Sequence, residues 1–211
     1  MGQICRELVR IPEPSQTRSK EALERFLAAG EALLAENRFE EAGIADIARA
    51  AESSVGSFYR LLADKERLLL LLLQRFFEQI DELTEQTLDP DQWAGKTIAD
   101  IADSYIKALV NSYRGHAGAL RATILRSSKD REFRKFVHDF NSLVSSRLEK
   151  LLRERRDELN HPKPERAIKS VSHIILGILN QHTMTGSLDG LSEKALVEET
   201  KRIFITYLGV K

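Results

Sequence analysis

Apolar residues recur at every third or fourth position along most of the chain, which is the period of an α-helix with one buried face. The first such stretch predicts a helix from about Ser19 to Glu36, and Asn37 can adopt the left-handed conformation that ends a helix. A short second helix is predicted after Gly43. No segment shows the strict alternation of a β-strand, so the predicted fold class is all-α.

The stretch SSVGSFYRLLADKERLLLLLL, which begins at Ser53, joins a weakly helix-forming half to a strongly helix-forming half. A tight turn at Glu52 and Ser53 leads into a third short helix, and a fourth helix follows that Asp64 can cap and that continues to about Leu88. The predicted buried stripe of the third helix consists of Val55, Phe58, Tyr59 and Leu62. The run of leucines in the fourth helix covers every side of it, which indicates burial between two domains.

The helical period continues beyond the fourth helix and predicts five more helices. They are Lys96–Arg114, Ala117–Ser127, Arg131–Leu159, Glu165–Thr185 and Ser192–Leu208. Gly115, the sequence HPKP at 161–164 and the sequence GSLDG at 186–190 separate them.

Charge and cysteine content narrow the classes of protein to consider. Lys and Arg total 32 and so do Asp and Glu, so the net charge by itself points to no polyanionic partner. Cys5 is the only cysteine, which excludes an internal disulfide and fits a reducing compartment. The N-terminal residues carry charges where a secretory signal would be apolar, and the longest apolar run, Leu68–Leu73, is far shorter than the roughly 20 residues of a membrane span. We therefore expect a cytoplasmic chain with no membrane span.

The sequence lacks the signals of an enzyme or of a metal site. None of its five histidines stands four residues from another or beside a cysteine. It contains no Gly-x-Ser-x-Gly nucleophile motif and no glycine-rich loop that could hold a phosphate. We predict no catalytic residue, no metal and no cofactor.

The second and third helices, joined by a tight turn and supported by the first helix, form the pattern of a helix-turn-helix. Such a unit offers the N-terminal part of its last helix to the DNA major groove. On a helical wheel, the side opposite the apolar stripe carries Ser53, Gly56, Ser57 and Arg60. The small residues allow a close approach of the backbone, while Ser57 can donate to a phosphate or base edge and Arg60 can pair with a phosphate or a guanine. Tyr59 can rest its ring on the core and extend its hydroxyl to the DNA backbone, and Lys65 adds a positive charge at the start of the fourth helix.

The segment IADIARAAESSVGSFYRLLADKERLL, Ile44–Leu69, resembles the helix-turn-helix of the tetracycline-repressor (TetR) family of transcriptional regulators, and the resemblance extends back to Arg18. The resemblance implies that Arg18, Ser54, Val55, Gly56, Ser57, Tyr59, Arg60 and Lys65 contact DNA. The chain departs from the family pattern in the turn, where Glu52 replaces the usual Gly, and at Gly43, where a capping Ser or Thr is usual. It also has Leu61 and Leu62 where an aromatic or His pair is common.

The resemblance also implies three parts: a leader at 1–17, a DNA-binding domain at 18–64 and an effector-binding and dimerisation domain at 65–211. Any single aromatic residue of this domain is expected to pack a core. Taken together, and because the resemblance implies a small-molecule cavity among helices four to eight, these residues favour a pocket for an apolar or aromatic effector. The predicted pocket residues are Phe76, Phe77, Ile80, Trp93, Ile101, Tyr105, Phe136, Phe140 and Ile174. The last two helices have a second apolar face that can either complete the core or form a four-helix bundle between two protomers. The predicted interface residues are Val171, Ile175, Ile178, Leu196, Ile203, Phe204 and Tyr207.

Two functions from different classes stay open at this point. The first is a homodimeric regulator, a repressor as is usual in the family, that binds a pseudo-palindromic double-stranded operator and leaves it when a small, mainly apolar effector binds. The second is a helical ligand-binding or interaction protein that has lost specific DNA binding. Glu52, Gly43 and the balance of ten Lys and Arg against twelve Asp and Glu in residues 1–68 favour the second. We expect no enzymatic activity in either case.

Overall fold

The computed structural model describes residues 17–186 and 190–211. In this part of the chain there are nine α-helices and no β-strand, which confirms the predicted all-α class. The helices are α1 Thr17–Ala35, α2 Ile44–Ala50, α3 Val55–Leu62, α4 Lys65–Thr87, α5 Ile98–Gly115, α6 Ala117–Lys129, α7 Arg131–Glu154, α8 Pro164–Thr185 and α9 Glu193–Leu208. Short 3-10 helices cover Pro90–Trp93 and Arg156–Glu158. Apart from Thr17, which begins α1, the predicted leader lies outside the described residues.

The predicted helix ends differ from the observed ones by about two residues or fewer, with the exception of α7. This helix ends at Glu154 rather than at Leu159, because Leu159 pairs in an antiparallel bridge with Val210. The side chain of Arg155 donates to the carbonyl oxygens of Trp93, Lys96 and Leu151, the latter two at 2.8 and 3.0 Å. Contacts distant in sequence thus end a helix that the local pattern would continue.

Local signals account for the end of α1 and the start of α4. Asn37 follows α1 with a φ of 58°, which confirms its predicted left-handed conformation. Asp64 accepts a hydrogen bond from the amide of Arg67 at 2.7 Å, which confirms its predicted role as the cap of α4.

None of the described helices is both long and apolar enough to cross a membrane.

The described residues form two compact units, and the first contains α1–α3. It comprises the described residues from Thr17 to Gln79 together with His116–Arg126. Its core is built around Phe26, Ile47, Phe58 and Leu62, all completely buried. The rings of Phe26 in α1 and Phe58 in α3 meet edge to face, with their centres 5.3 Å apart. This contact holds α3 against α1 and leaves the opposite side of α3 exposed.

The boundary of the first unit differs from the predicted boundary at residue 64. The first part of α4 belongs to this unit because Arg75 pairs with both Glu24 and Glu31 of α1, at 2.8 and 3.4 Å. Most of α6 also belongs to it, and Arg126 pairs with Glu66 of α4. The helix-turn-helix is therefore embedded in a five-helix unit.

Gly118 allows α6 to lie directly on the end of α1. A β-carbon added at this position would be 2.2 Å from the carbonyl oxygen of Leu34 and 2.8 Å from the amide nitrogen of Ala35. Both neighbours are backbone atoms, which cannot move aside as the tip of a side chain can. Only glycine fits this contact.

The second unit comprises Ile80–Gly115 and the described residues between Ser127 and Lys211. It is a bundle in which α5 and α8 pack on α9 and α7 packs on α8. Its completely buried residues include Ile101, Ile106 and Leu148. Arg147 of α7 binds the nearly buried carboxylate of Asp81 at 2.6 Å and the hydroxyl of Thr84 at 2.7 Å. This ion pair joins the C-terminal part of α4 to α7.

We predict that Gly118→Ala lowers the free energy of unfolding by about 1–3 kcal/mol, because the added methyl group would overlap the backbone at Leu34. Thermal and urea unfolding followed by circular dichroism measure the change. Gly115→Ala is the matched control, since a β-carbon there meets nothing within 4 Å. Equal stability of the two variants would contradict the close contact.

Candidate nucleic-acid interface

Helix α3 buries two of its four predicted core residues and exposes the other two. Phe58 and Leu62 are completely buried, whereas Val55 is 40% exposed and Tyr59 is 54% exposed. The prediction that Val55 belongs to the buried stripe is wrong, because this first residue of α3 lies one turn before the Phe58 contact with α1. Tyr59 lies with its ring edge to face on Phe58 at 5.9 Å, so the ring rests on the core, as expected for Tyr59, while much of the residue is exposed.

The opposite side of α3 is open. The side chain of Arg60 is exposed and makes no hydrogen bond or ion pair with any residue that the structure describes. At Gly56, an added β-carbon would have the hydroxyl oxygen of Ser54 as its nearest neighbour, at 3.8 Å. The packing of the chain therefore does not require glycine at position 56, although glycine weakens a helix by about 0.5–1 kcal/mol relative to alanine. An approaching surface outside the chain can account for it.

Ser54 and Ser57 form a small hydrogen-bond chain at the N-terminus of α3. Ser54 is the N-cap and accepts from the amide of Ser57 at 3.1 Å. Its hydroxyl donates to the hydroxyl oxygen of Ser57, also at 3.1 Å. The hydroxyl proton of Ser54 is thus donated to Ser57, whereas the hydroxyl proton of Ser57 is available for a hydrogen bond to a group outside the helix.

Two further predicted contacts come from other helices. Arg18 is exposed in the first turn of α1 and has no ion pair within residues 17–186 and 190–211. Lys65, the first residue of α4, donates to the carbonyl oxygen of Glu40 at 2.8 Å and lies 5.1 Å from the ring centre of Phe39. An ammonium group has three donors, so Lys65 keeps two for a phosphate.

The departures from the family pattern have local structural effects. Glu52 adopts a φ of 47°, a conformation that costs a residue with a β-carbon roughly 1–2 kcal/mol and explains why glycine is usual in this turn. At Gly43, the backbone amide donates to the carboxylate of Asp46 at 3.0 Å. This bond, with the contact from Arg49, lowers the pKa of Asp46. Asp46 thus satisfies a backbone donor at the start of α2 without a capping hydroxyl.

The predicted pocket residues are distributed over both units. Phe76 and Phe77 belong to the first unit and are buried there, while Ile101, Tyr105 and Phe140 are buried in the second. The other four, Ile80, Trp93, Phe136 and Ile174, are half-buried in the second unit. Burial raises the pKa of Tyr105 to about 12, so its phenol is neutral.

Two grooves described in the structure are lined by other residues. A groove of about 910 Å³ in the first unit is lined by residues of α1 and α2 and the segments beside them, including Arg25, Arg38 and Asp46. A groove of about 550 Å³ in the second unit is lined mainly by polar residues, including Glu82, Arg147 and Lys150. Neither groove is lined by a predicted pocket residue.

Most of the predicted interface residues are used by the core of their own chain. Val171, Ile175 and Phe204 are completely buried and Leu196 is 7% exposed, because α8 and α9 pack against each other and against α5. The interface prediction is corrected for these four residues. Ile178 and Tyr207 are half-buried and Ile203 is 39% exposed, so these three remain accessible.

Within the described chain, no group of three or more His, Cys, Asp or Glu side chains is arranged to hold a metal ion.

Solved structures of bacterial regulators share this arrangement of helices. A bacterial regulatory protein in the TetR family from Rhodococcus has a TM-score of 0.71 at 14% identity, over 90% of this chain and 98% of its own. The TetR family transcriptional regulator PfmR from Thermus thermophilus has a TM-score of 0.64 at 15% identity, over 87% of this chain and 97% of its own. A transcriptional regulator from Aquifex aeolicus has a TM-score of 0.59 at 20% identity, over 86% of this chain and 96% of its own. At these identities the similarity shows the fold.

A family model, that of the tetracyclin repressor-like C-terminal domain, matches residues 97–208, just over half of the chain. The chain therefore belongs to the TetR family of transcriptional regulators. No curated protein matches it by sequence.

We predict that Gly56→Ala has opposite effects on folding and on DNA binding. The added methyl group fits within the chain and favours the helix, so the free energy of unfolding should rise by about 0.5–1 kcal/mol. The same group would hold α3 away from DNA and weaken specific binding by about 1–3 kcal/mol. Fluorescence anisotropy with a DNA site selected from a random pool by the wild-type protein measures the affinity, and Gly115→Ala is the control. Unchanged DNA affinity in Gly56→Ala would exclude a close approach at this position.

Proposed function

We propose that this chain is a homodimeric transcriptional repressor that binds a pseudo-palindromic operator in double-stranded DNA and is released by a small, mainly apolar effector. The observation that carries the proposal is the side of α3 opposite its buried face, where Gly56 and Arg60 are exposed and the packing of the chain requires neither of them. Ser57 lies beside them, half-buried and hydrogen-bonded to Ser54. A recognition helix places such residues in the major groove. A regulator of this kind acts in the cytoplasm.

The charge distribution favours binding through a few positioned groups. Residues 1–68 contain more acidic than basic residues, so no broad basic field attracts DNA. Arg60 and Arg18 are exposed, however, and neither is neutralised by a described carboxylate. In a dimer, each protomer would contribute one Arg18 and one Arg60 to the phosphates or bases of the DNA. Together these contacts would supply an affinity for DNA that one acidic domain lacks.

A dimer is favoured by the geometry of DNA and by the surface of α8. Two half-sites on one face of the duplex require reading helices about 34–36 Å apart or a multiple of that spacing. On α8, the predicted interface residue Ile178 is half-buried next to Gly177, which is exposed and has nothing within 4 Å of an added β-carbon. A glycine in mid-helix with open space beside it permits a second helix to approach closely.

Effector release is supported by the composition and length of α4. The helix begins at Lys65, next to the proposed DNA contacts, and continues through Phe76, Phe77 and Ile80 to Thr87 without a break. A ligand that displaces its C-terminal part would move a helix that also carries a DNA contact. Such coupling is reciprocal, so an effector that weakens operator binding must bind the DNA-bound dimer less tightly, typically by 1–3 kcal/mol.

The decisive experiment is selection of bound fragments from a random DNA pool, at low salt, with the folded full chain. Enrichment of a pseudo-palindrome supports the proposal. Absence of any enrichment would reject it and favour the ligand-binding alternative that Glu52 and the acidic balance suggest. Repeating the selected-site measurement with apolar compounds tests release separately, since a compound that binds tightly without changing operator affinity would exclude the switch.

We predict that Arg60→Ala weakens binding to the selected site by about 1–3 kcal/mol and reduces the salt dependence of binding. Arg60 has no described partner within the chain, so its removal should leave the unfolding transition unchanged. Arg131→Ala, which removes an exposed charge at the start of α7, is the control. If both variants bind the selected site with wild-type affinity, Arg60 does not contact the DNA.

We predict that Ile203→Glu converts the dimer into monomers in sedimentation velocity, because Ile203 is exposed on α9 and a buried unpaired carboxylate would oppose association. Phe204 is unsuitable for this test, since it is completely buried and a charge there would disrupt the fold. Leu125→Glu is the matched control, as Leu125 is 50% exposed on α6. A dimeric Ile203→Glu variant would point to a different interface.

A further inference from the structure

Val55 is the one large apolar side chain that α3 exposes at its N-terminus. It is 40% exposed as the first residue of the helix. The chain itself gives it no packing role comparable to that of Phe58, which is completely buried one turn later. An exposed isopropyl group among serines and a glycine gains by burial against an apolar group of whatever α3 binds.

The residues next to Val55 leave its side chain accessible at the N-terminus of α3. Gly56 has no side chain, and Ser54 uses its hydroxyl to cap the helix and to bond Ser57. In a helix-turn-helix, the N-terminal residues of the recognition helix contact base edges. If α3 enters the major groove, Val55 therefore meets bases rather than phosphates.

Base chemistry restricts what Val55 can recognise. Its side chain has no hydrogen-bonding atom, so it can only cover part of a base edge, and covering a donor or acceptor without replacing its bond is costly. Among the four bases, thymine alone presents a methyl group in the major groove. Contact with that methyl group buries apolar surface and leaves the polar atoms of the base pair free to bond water or Ser57.

We propose that Val55 is a specificity-determining residue that reads the C5-methyl group of one thymine in each half-site. This inference rests on the proposed function, since it requires that α3 binds DNA. Val55 then contributes selection for thymine, Ser57 donates to a neighbouring acceptor, and Arg60 supplies a charged contact.

The test replaces each thymine of the selected site, one at a time, by deoxyuridine, which keeps every hydrogen-bonding atom and removes only the methyl group. Wild-type protein should show one sensitive thymine in each half-site. The expected loss is about fourfold for one half-site and about fifteenfold for both, from the burial of one methyl group each. Val55→Ala should lose most of this sensitivity, to within about twofold, because the two γ-methyl groups that would cover the thymine methyl group are gone and only the β-carbon is left.

The matched control is Ser57→Ala. This variant should bind the selected site less tightly but keep the full effect of deoxyuridine, since the side chain of Val55 is intact. Circular dichroism checks that each variant folds, which we expect because position 55 is exposed. Sequence-specific binding without a sensitive thymine, or sensitivity that persists in Val55→Ala, would overturn this inference and leave the proposed function standing. Failure of the folded wild type to select any DNA would instead overturn the proposed function.

Discussion

The contact between Phe26 and Phe58 determines which side of α3 is available to bind anything. An eight-residue helix is not stable alone in water, so its orientation depends on the side chains it buries. Complete burial of Phe58 and Leu62 is worth about 1.5–3 kcal/mol for each side chain. Edge-to-face packing of the two aromatic rings adds about 0.5–1.5 kcal/mol. With this side fixed inward, Gly56 and Arg60 are exposed on the other side of α3.

The helices could be predicted from the sequence because their signals are local. Asn37 and Asp64 end or begin helices through their own backbone and side-chain bonds, and the structure shows both. The end of α7 could not be predicted in this way. It depends on pairing between Leu159 and Val210, which are distant in sequence and which no periodicity connects. The same limit applies to Gly118, whose contact with the Leu34 carbonyl depends on the packing of α6 on α1.

The sequence pattern predicts which side of α3 carries the apolar residues, but it does not predict how exposed each of these residues is. A helical wheel places Val55 on the same side of α3 as Phe58. Only Phe58 is buried against α1, because Val55 is the first residue of the helix. The predicted interface failed at Phe204 for the converse reason. Amphipathic patterns on α8 and α9 identify apolar residues, but they do not tell whether a residue packs within its own chain or against another.

Glu52 has a consequence that is genetic rather than structural. Its left-handed backbone favours glycine, and its carboxylate lies in the turn that precedes α3. Glutamate and glycine codons differ at a single nucleotide, so one mutational step separates this chain from the residue that the turn prefers. Neither the genetic code nor the stability of the turn keeps glutamate at this position.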